Sequence, residues 1–271
     1  GGLMNRDYRT IPSETLGHPM EMLVFGHSGK PMLVFPSQEG RFFDYENFGM
    51  PDTISRFIDE GKVQLYCIDS IDNESWFNRN ASPEDRARRA LDYEKIVCED
   101  VVPHILADGH EGAGILAHGC SFGAFHTANF MLKYPDIFDS GIALSGCYDI
   151  SFTLDGFMND DVFAGNPLSY SDRLSFETIQ KLQNDLLIIC SGQGPWEEWT
   201  GEAIHLAKNL KLSSVPVFLD LWGYDVAHDW PWWKKQIVYF LEKFERCGFL
   251  DSHHRMNADD SQYFIQDFYN V

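Results

Sequence analysis

The chain has 271 residues, of which 44% are hydrophobic and 14% aromatic, a composition that excludes a disordered chain, a collagen-like repeat and a coiled coil. Its 21 basic and 41 acidic residues give a formal net charge of −20, which disfavours nucleic-acid binding and binding to an anionic membrane surface. No apolar run approaches the roughly 18 residues of a membrane-spanning helix, and the N-terminus predicts no signal peptide. These features favour an acidic globular protein whose partner is a small molecule.

The cysteines also bear on the compartment. The chain has six of them, and they form no Cys-x-x-Cys pair. Cys67 and Cys190 fall inside apolar runs, which is typical of reduced core thiols rather than of a disulfide framework. We therefore expect a cytoplasmic protein.

Short apolar runs alternate with helical periodicities along the chain, which predicts βαβ units around a mostly parallel sheet. The first two runs, at 21–25 and 32–35, are separated by a segment with two glycines and a proline, which predicts a hairpin and an antiparallel start to the sheet. A helix is expected near 52–60 and a strand over 63–69. A capping serine at Ser82, followed by proline and two acids, predicts a helix that continues to about residue 105.

The second half of the chain continues the alternation. Strands are predicted near 114–118, 140–145, 185–190 and 215–221, and helices after residue 123, over 201–210 and over 232–245. We expect one domain over 1–271, with a cap-like insertion at about 148–184 and a polar tail at about 248–271. Three aromatic residues of the tail are candidates to dock it back onto the domain: Phe264, Phe268 and Tyr269.

The strongest chemical signal is Gly119-Cys120-Ser121-Phe122-Gly123, a Gly-x-Ser-x-Gly motif between a predicted strand and a predicted helix. A serine presented on such a tight turn needs strained backbone and small neighbours, which explains the two glycines. The turn lifts the hydroxyl above the sheet, and the following helix N-terminus stabilises developing negative charge. Ser121 is therefore the predicted nucleophile.

A nucleophilic serine needs a base and an acid that orients the base. His228 follows the last predicted strand, where a loop can bring imidazole to the serine, and it is better placed than His118 or His126. The acid is expected after the preceding strand, where Glu197 is the first choice and Glu198 the second.

Asp225 is a third candidate for the acid because it lies three residues before His228. The oxyanion hole requires two backbone N–H groups near the attacked carbonyl. One is expected from Phe122, and the other from the loop after the strand at 32–35, where we favour Gln38 and then Ser37.

Motifs around the serine resemble a known family. They are Ser121-Phe122-Gly123-Ala124-Phe125, Lys133-Tyr134-Pro135-Asp136-Ile137-Phe138, Leu144-Ser145-Gly146 and, further away, Val101-Val102-Pro103-His104-Ile105 and His228-Asp229-Trp230. Together they resemble the esterase branch of the α/β-hydrolases, which includes esterase D-like enzymes, feruloyl esterases, enterochelin esterases and mycolyltransferases. The resemblance spans most of residues 15–247. The chain departs from the family pattern at Pro36-Ser37-Gln38 and at 195–198, where aspartate is commoner.

The resemblance implies an α/β-hydrolase fold, with a mostly parallel central sheet, helices on both faces and a small partial cap. It also implies carboxylic-ester hydrolysis, no cofactor, and a triad of Ser121, His228 and a carboxylate. No metal or nucleotide motif occurs in the chain, so no metal is expected.

We therefore expect a serine carboxylesterase that acts on a small or aryl acyl ester. Acyl transfer, and amide or thioester hydrolysis, stay open within the same fold, and so does a non-catalytic binding protein. Four aromatic residues of the insertion are compatible with an acyl pocket and equally with a packed cap core: Phe152, Phe157, Phe163 and Tyr170. The cluster of Trp230, Trp232 and Trp233 is expected to anchor the final helix.

Overall fold

Eight strands form the central sheet of the computed structural model, which describes residues 4–251 and 254–269. They are β1 (Arg6–Ile11), β2 (Met20–Phe25), β3 (Lys30–Phe35), β4 (Val63–Ile68), β5 (Ile115–Cys120), β6 (Phe138–Leu144), β7 (Leu186–Ser191) and β8 (Val217–Leu221). Their order across the sheet is β1-β2-β4-β3-β5-β6-β7-β8. β2 is antiparallel to both β1 and β4, whereas all the other neighbours are parallel.

Helices lie in most of the connections between the strands and after the last strand. They are α1 (Asp44–Asn47), α2 (Met50–Thr53), α3 (Ser55–Asp59), α4 (Pro83–Ile96), α5 (Val102–Leu106), α6 (Phe122–Lys133), α7 (Asp160–Gly165), α8 (Pro167–Tyr170), α9 (Phe176–Leu182), α10 (Thr200–Leu212), α11 (Trp230–Arg246) and α12 (Ala258–Tyr269). A π-helical turn, Val97–Val101, joins α4 to α5, so the long helix predicted from Ser82 is present. None of the helices in the described part of the chain is both long and apolar enough to span a membrane.

The predicted hairpin between β2 and β3 is wrong. β4 lies between them, antiparallel to β2 and parallel to β3. All six residues of β3 are buried, which is typical of a central strand that needs parallel neighbours on both sides. The sheet does begin antiparallel, but through β1, a mostly exposed edge strand that the sequence analysis did not predict.

Two apolar layers cover the two faces of the sheet, because alternate residues of each strand point to opposite sides. In β2, Met22 and Val24 join the layer that includes residues of α4, α5, α6 and α10. Leu23 and Phe25 join the opposite layer, with residues of α2, α3 and α11. The predicted class, a mostly parallel sheet with helices on both faces, is therefore confirmed.

The segment at 148–184 lies beside a third, smaller apolar cluster. Ile150, Leu154 and Val162 pack there with Phe122 and Phe125 of α6. Three of the four aromatic residues that the sequence analysis singled out pack against apolar clusters: Phe157, Phe163 and Tyr170. Phe152 differs, because its surface is 56% exposed.

The amino ends of the parallel strands meet the C-terminal segment. Lys30 of β3 forms a 2.6 Å ion pair with Asp139 of β6, and the two side chains are 2% and 0% exposed. The Met256 amide donates to Asp139 Oδ2 at 2.9 Å, and Ser261 Oγ donates to the Asp185 carbonyl at 3.0 Å. The aromatic residues expected to dock the tail lie outside the side chains that the structure describes: Phe264, Phe268 and Tyr269.

Candidate active site

Ser121 lies on a sharp turn between β5 and α6. Its backbone has φ 58° and ψ −122°, a region that costs free energy for any residue other than glycine. A Cβ atom at Gly119 would collide with the Gly123 backbone, and one at Gly123 would collide with the carbonyl oxygens of Phe35 and Pro36. The two glycines of the motif therefore permit the close packing that holds Ser121 in its strained conformation.

The residue before the serine, Cys120, does not compete as a nucleophile. Its side chain is buried, and burial raises the pKa of the thiol well above its usual range. A neutral thiol is a poor nucleophile compared with a thiolate. Cys67 and Cys190 are buried free thiols of the same kind.

The structure brings His228 to the serine. Its Nε2 lies 3.0 Å from Ser121 Oγ, within hydrogen-bond distance. The imidazole meets the rings of Trp233 and Trp199 edge to face, at centroid distances of 4.9 and 5.7 Å. These contacts leave the side chain 17% exposed and restrict its rotation.

Glu197 lies on the far side of the imidazole from Ser121. Its Oε2 is 3.2 Å from His228 Nδ1, and its side chain is 2% exposed. The two alternative acids, Glu198 and Asp225, are both exposed. Of the three predicted candidates, Glu197 is the carboxylate in contact with the histidine.

Two further residues, which the sequence analysis did not assign to the site, hold this carboxylate. Ser145 Oγ donates to Glu197 Oε1 at 2.6 Å, and Trp233 Nε1 donates to Ser145 Oγ at 2.9 Å. Both oxygens of Glu197 therefore have a partner. The sequence singled out Leu144-Ser145-Gly146 and the tryptophan cluster. Only the fold shows that Ser145 contacts Glu197 and that Trp233 contacts Ser145.

The loops that carry the acid and the histidine pack directly against each other. The Gly194 amide donates to the Val226 carbonyl at 2.9 Å, and the His228 amide donates to the Pro195 carbonyl at 3.0 Å. A Cβ atom at Gly192 or Gly194 would collide with the Val226 backbone. These backbone contacts fix the spacing between Glu197 and His228.

The two predicted oxyanion donors lie on segments that touch each other. Phe122 opens α6, so its amide is at the helix N-terminus. Gln38 is exposed on the turn after β3, whose carbonyls at Phe35 and Pro36 pack close to Gly123. Asp72 anchors this turn, since its Oδ2 accepts from the Glu39 amide at 3.0 Å.

Asp72 also links the turn to α6, because its Oδ1 lies 2.9 Å from Nε2 of the buried His126. A cavity of about 290 Å³ borders the site and is lined in part by Gln38, Trp76, Phe77 and Phe152. The ring of Phe77 meets the ring of Phe122 edge to face at 4.9 Å. The wall of the cavity therefore contacts Phe122, the residue that follows Ser121.

A search of protein-family models finds no match to the chain. Among solved structures, a ferulic acid esterase superposes with a TM-score of 0.70 at 14% identity, over 90% of this chain and 98% of that chain. FphF, a fluorophosphonate-binding serine hydrolase of Staphylococcus aureus, superposes with a TM-score of 0.67 at 17% identity, over 89% and 98%. The chain has the α/β-hydrolase fold.

An S-formylglutathione hydrolase from Agrobacterium tumefaciens shares this α/β-hydrolase fold, with a TM-score of 0.63 at 14% identity over 88% of this chain and 94% of that chain. In sequence, 92 residues are 35% identical to a protein of Arabidopsis thaliana named "Probable glutamyl endopeptidase, chloroplastic". The matched stretch is 34% of this chain and 9% of that protein. A rice protein of the same name is 36% identical over 76 residues, which is 8% of its length. The chain thus matches under a tenth of these curated relatives.

Proposed function

We propose that this protein is a serine hydrolase that cleaves carboxylic esters through an acyl-enzyme intermediate. The observation that carries the proposal is the continuous set of contacts from Ser121 Oγ through the His228 ring to Glu197. The strained turn at Ser121 adds support, because such strain is typical of functional sites. The similar solved structures named as esterases and serine hydrolases support the same chemistry.

In the first half of the reaction, Ser121 Oγ attacks the ester carbonyl carbon while His228 Nε2 takes the hydroxyl proton. The Glu197 carboxylate stabilises the resulting imidazolium through Nδ1–H. The carbonyl oxygen becomes an oxyanion, and the backbone amides of Phe122 and Gln38 are the proposed donors to it. Cleavage of the ester C–O bond then releases the alcohol, which takes its proton from His228.

In the second half, water replaces the alcohol. His228 removes a proton from the water as it attacks the acyl carbon, and the Ser121 ester bond breaks. The serine recovers its proton from His228, and the acid leaves. The proton that left with the alcohol is thus replaced by one from the water, so Ser121 and His228 return to their starting state. A small or aryl acyl ester is the proposed substrate.

Peptide-bond hydrolysis is a second candidate, favoured by the match to the two plant proteins named as glutamyl endopeptidases. The same serine, histidine and carboxylate would serve, because amide and ester hydrolysis share the tetrahedral intermediate. A comparison of kcat/KM for a 4-nitrophenyl ester and a peptide 4-nitroanilide decides between them.

The proposed function is tested with a fluorophosphonate probe and 4-nitrophenyl esters from acetate to decanoate. The wild-type protein should form one covalent adduct at Ser121 and hydrolyse at least the short esters. Ser121→Ala should form no adduct and lose hydrolysis by about 10³-fold or more, while its melting temperature stays close to that of the wild type.

A folded wild-type protein that forms no adduct would overturn the proposal and favour a non-catalytic binding protein on this fold. An adduct at a residue other than Ser121 would contradict the assignment of the nucleophile.

A further inference from the structure

Ring contacts connect the cavity wall to the neighbours of Ser121 and His228. On one side, Phe77 contacts Phe122, the residue next to Ser121. On the other, the Phe152 ring lies 6.3 Å from that of Trp199, which contacts the His228 ring. At about 290 Å³ the cavity is at the small end of ligand sites, so it suits one part of an ester rather than a whole large substrate.

Two arginines, Arg79 and Arg86, also line this cavity. Arg86 is positioned by the protein, since it donates to the carbonyls of Ala81 at 3.0 Å and Thr153 at 3.1 Å. Carbonyl partners fix a guanidinium in space but do not neutralise its charge. Arg79 has an exposed side chain on the segment that precedes α4.

These two arginines differ from their neighbours in charge pairing. Arg88 and Arg89, on the same helix as Arg86, both form ion pairs, with Asp85 at 2.7 Å and with Asp92 at 3.1 Å. Among the residues that the structure describes, neither Arg79 nor Arg86 has a carboxylate partner within 4.0 Å. In a chain of net charge −20, two arginines without an acidic partner in one cavity form a local positive site.

We infer that Arg79 and Arg86 bind a carboxylate on the substrate, so that the preferred esters carry an acidic group on their acyl or alcohol part. This inference rests on the proposed function. A guanidinium matches the two oxygens of a carboxylate, and the aromatic walls at Trp76, Phe77 and Phe152 accept the apolar part between the acid and the ester. The net charge of −20 disfavours an anionic ester, so a preference for one has to arise locally.

The test compares kcat/KM within two pairs of esters. Mono-4-nitrophenyl glutarate and 4-nitrophenyl pentanoate differ by an acid on the acyl part. 4-Carboxyphenyl butyrate and phenyl butyrate differ by an acid on the alcohol part. In at least one pair the acidic ester should be preferred, and Arg79→Gln and Arg86→Gln should each lower that acid-to-neutral ratio by about tenfold, as expected for loss of a hydrogen bond to a charged group.

Arg88→Gln is the matched control, because it removes one positive charge from α4 outside the cavity. It should leave the ratio and the hydrolysis of the neutral esters unchanged. Taking the ratio within each variant separates acid recognition from any general loss of folding or activity.

Three outcomes would count against the inference. If the neutral esters are hydrolysed and neither cavity variant changes either ratio, the inference is overturned while the proposed function stands. If Arg88→Gln lowers the ratio as much as the cavity variants, overall charge rather than the cavity explains the preference. If none of the four esters is hydrolysed the inference fails, and absence of fluorophosphonate labelling in the same protein would overturn the proposed function as well.

Discussion

The two ends of the same parallel strands collect polar residues for different purposes. The carboxyl ends of β5 and β6 lead directly into Ser121 and Ser145, and the loops after β7 and β8 supply Glu197 and His228. The amino ends of β3, β6 and β7 instead carry a lysine and two aspartates: Lys30, Asp139 and Asp185.

The difference between the ends is access to solvent. The His228 side chain is 17% exposed, whereas Lys30 and Asp139 are buried beneath the C-terminal segment. A buried ion pair such as Lys30–Asp139 has no access to a ligand and contributes to structure. A histidine that contacts both a serine and a carboxylate, as His228 does, has the geometry that proton transfer requires. Changes at the carboxyl ends should therefore alter activity, and changes at the amino ends should alter stability.

Apart from loss of the nucleophile in Ser121→Ala, the largest expected effect on activity comes from Glu197→Gln. Glutamine keeps the size of the side chain but cannot stabilise an imidazolium by charge, so kcat for 4-nitrophenyl acetate should fall about 10⁴-fold. Glu198→Gln removes an equal charge one residue away and should change kcat by less than about twofold. Equal losses in the two variants would show that Glu197 has no special role.

The largest effect on stability is expected from Lys30→Met, which leaves the Asp139 carboxylate buried without its partner. The free energy of unfolding in urea should fall by about 3–5 kcal/mol, with kcat of the folded protein unchanged. The double variant Lys30→Met/Asp139→Leu removes both charges and should recover most of that loss. A single variant as stable as the wild type would contradict the structural role of this pair.

A smaller effect on activity is expected from Ser145→Ala, which removes the hydrogen bond to Glu197 Oε1. We expect kcat to fall about tenfold with KM unchanged, because the acid then holds the imidazole less firmly. Ser145 is a positioning residue, so its substitution should have little additional effect in a Glu197→Gln background. Additive losses in the double variant would show that Ser145 acts independently of the acid.

A further effect at the amino ends is on the pH dependence of stability. Burial, and secondarily the nearby Asp139, raise the pKa of Asp185 to about 9, compared with about 4 in an unfolded chain. The folded state therefore holds a proton that the unfolded state loses, so this residue lowers the free energy of unfolding as pH rises from about 4 to about 9.

Asp185→Asn keeps a neutral side chain at every pH. Relative to the wild type, this variant should gain stability progressively between pH 5 and pH 8, measured by urea unfolding at several pH values. A stability difference that does not change with pH would show that Asp185 is ionised in the folded protein.

The sequence predicted most of the parallel part of the sheet, because buried strands there are short apolar runs between amphipathic helices. It predicted β2 and β3 but paired them wrongly, since turn residues alone do not reveal that a later strand inserts between two consecutive ones. β1 was missed because an exposed edge strand has little hydrophobic pattern.

At the site, local motifs pointed to Ser121 and His228, whereas the choice among Glu197, Glu198 and Asp225 depended on which side chain the loop turns inward. Ser145 and Trp233 were missed as supports of the acid because their contacts join segments far apart in the chain. The oxyanion donors Phe122 and Gln38 stay predictions.

The backbone hydrogen bonds between the Gly194–Pro195 loop and the Val226–His228 loop bear on how this protein can diversify. An insertion in either loop would displace both Glu197 and His228. Much of the cavity wall is built from other segments, which carry Arg79 and Phe152. Substitutions in those segments need not displace Glu197 or His228. New substrate preferences should therefore evolve there first.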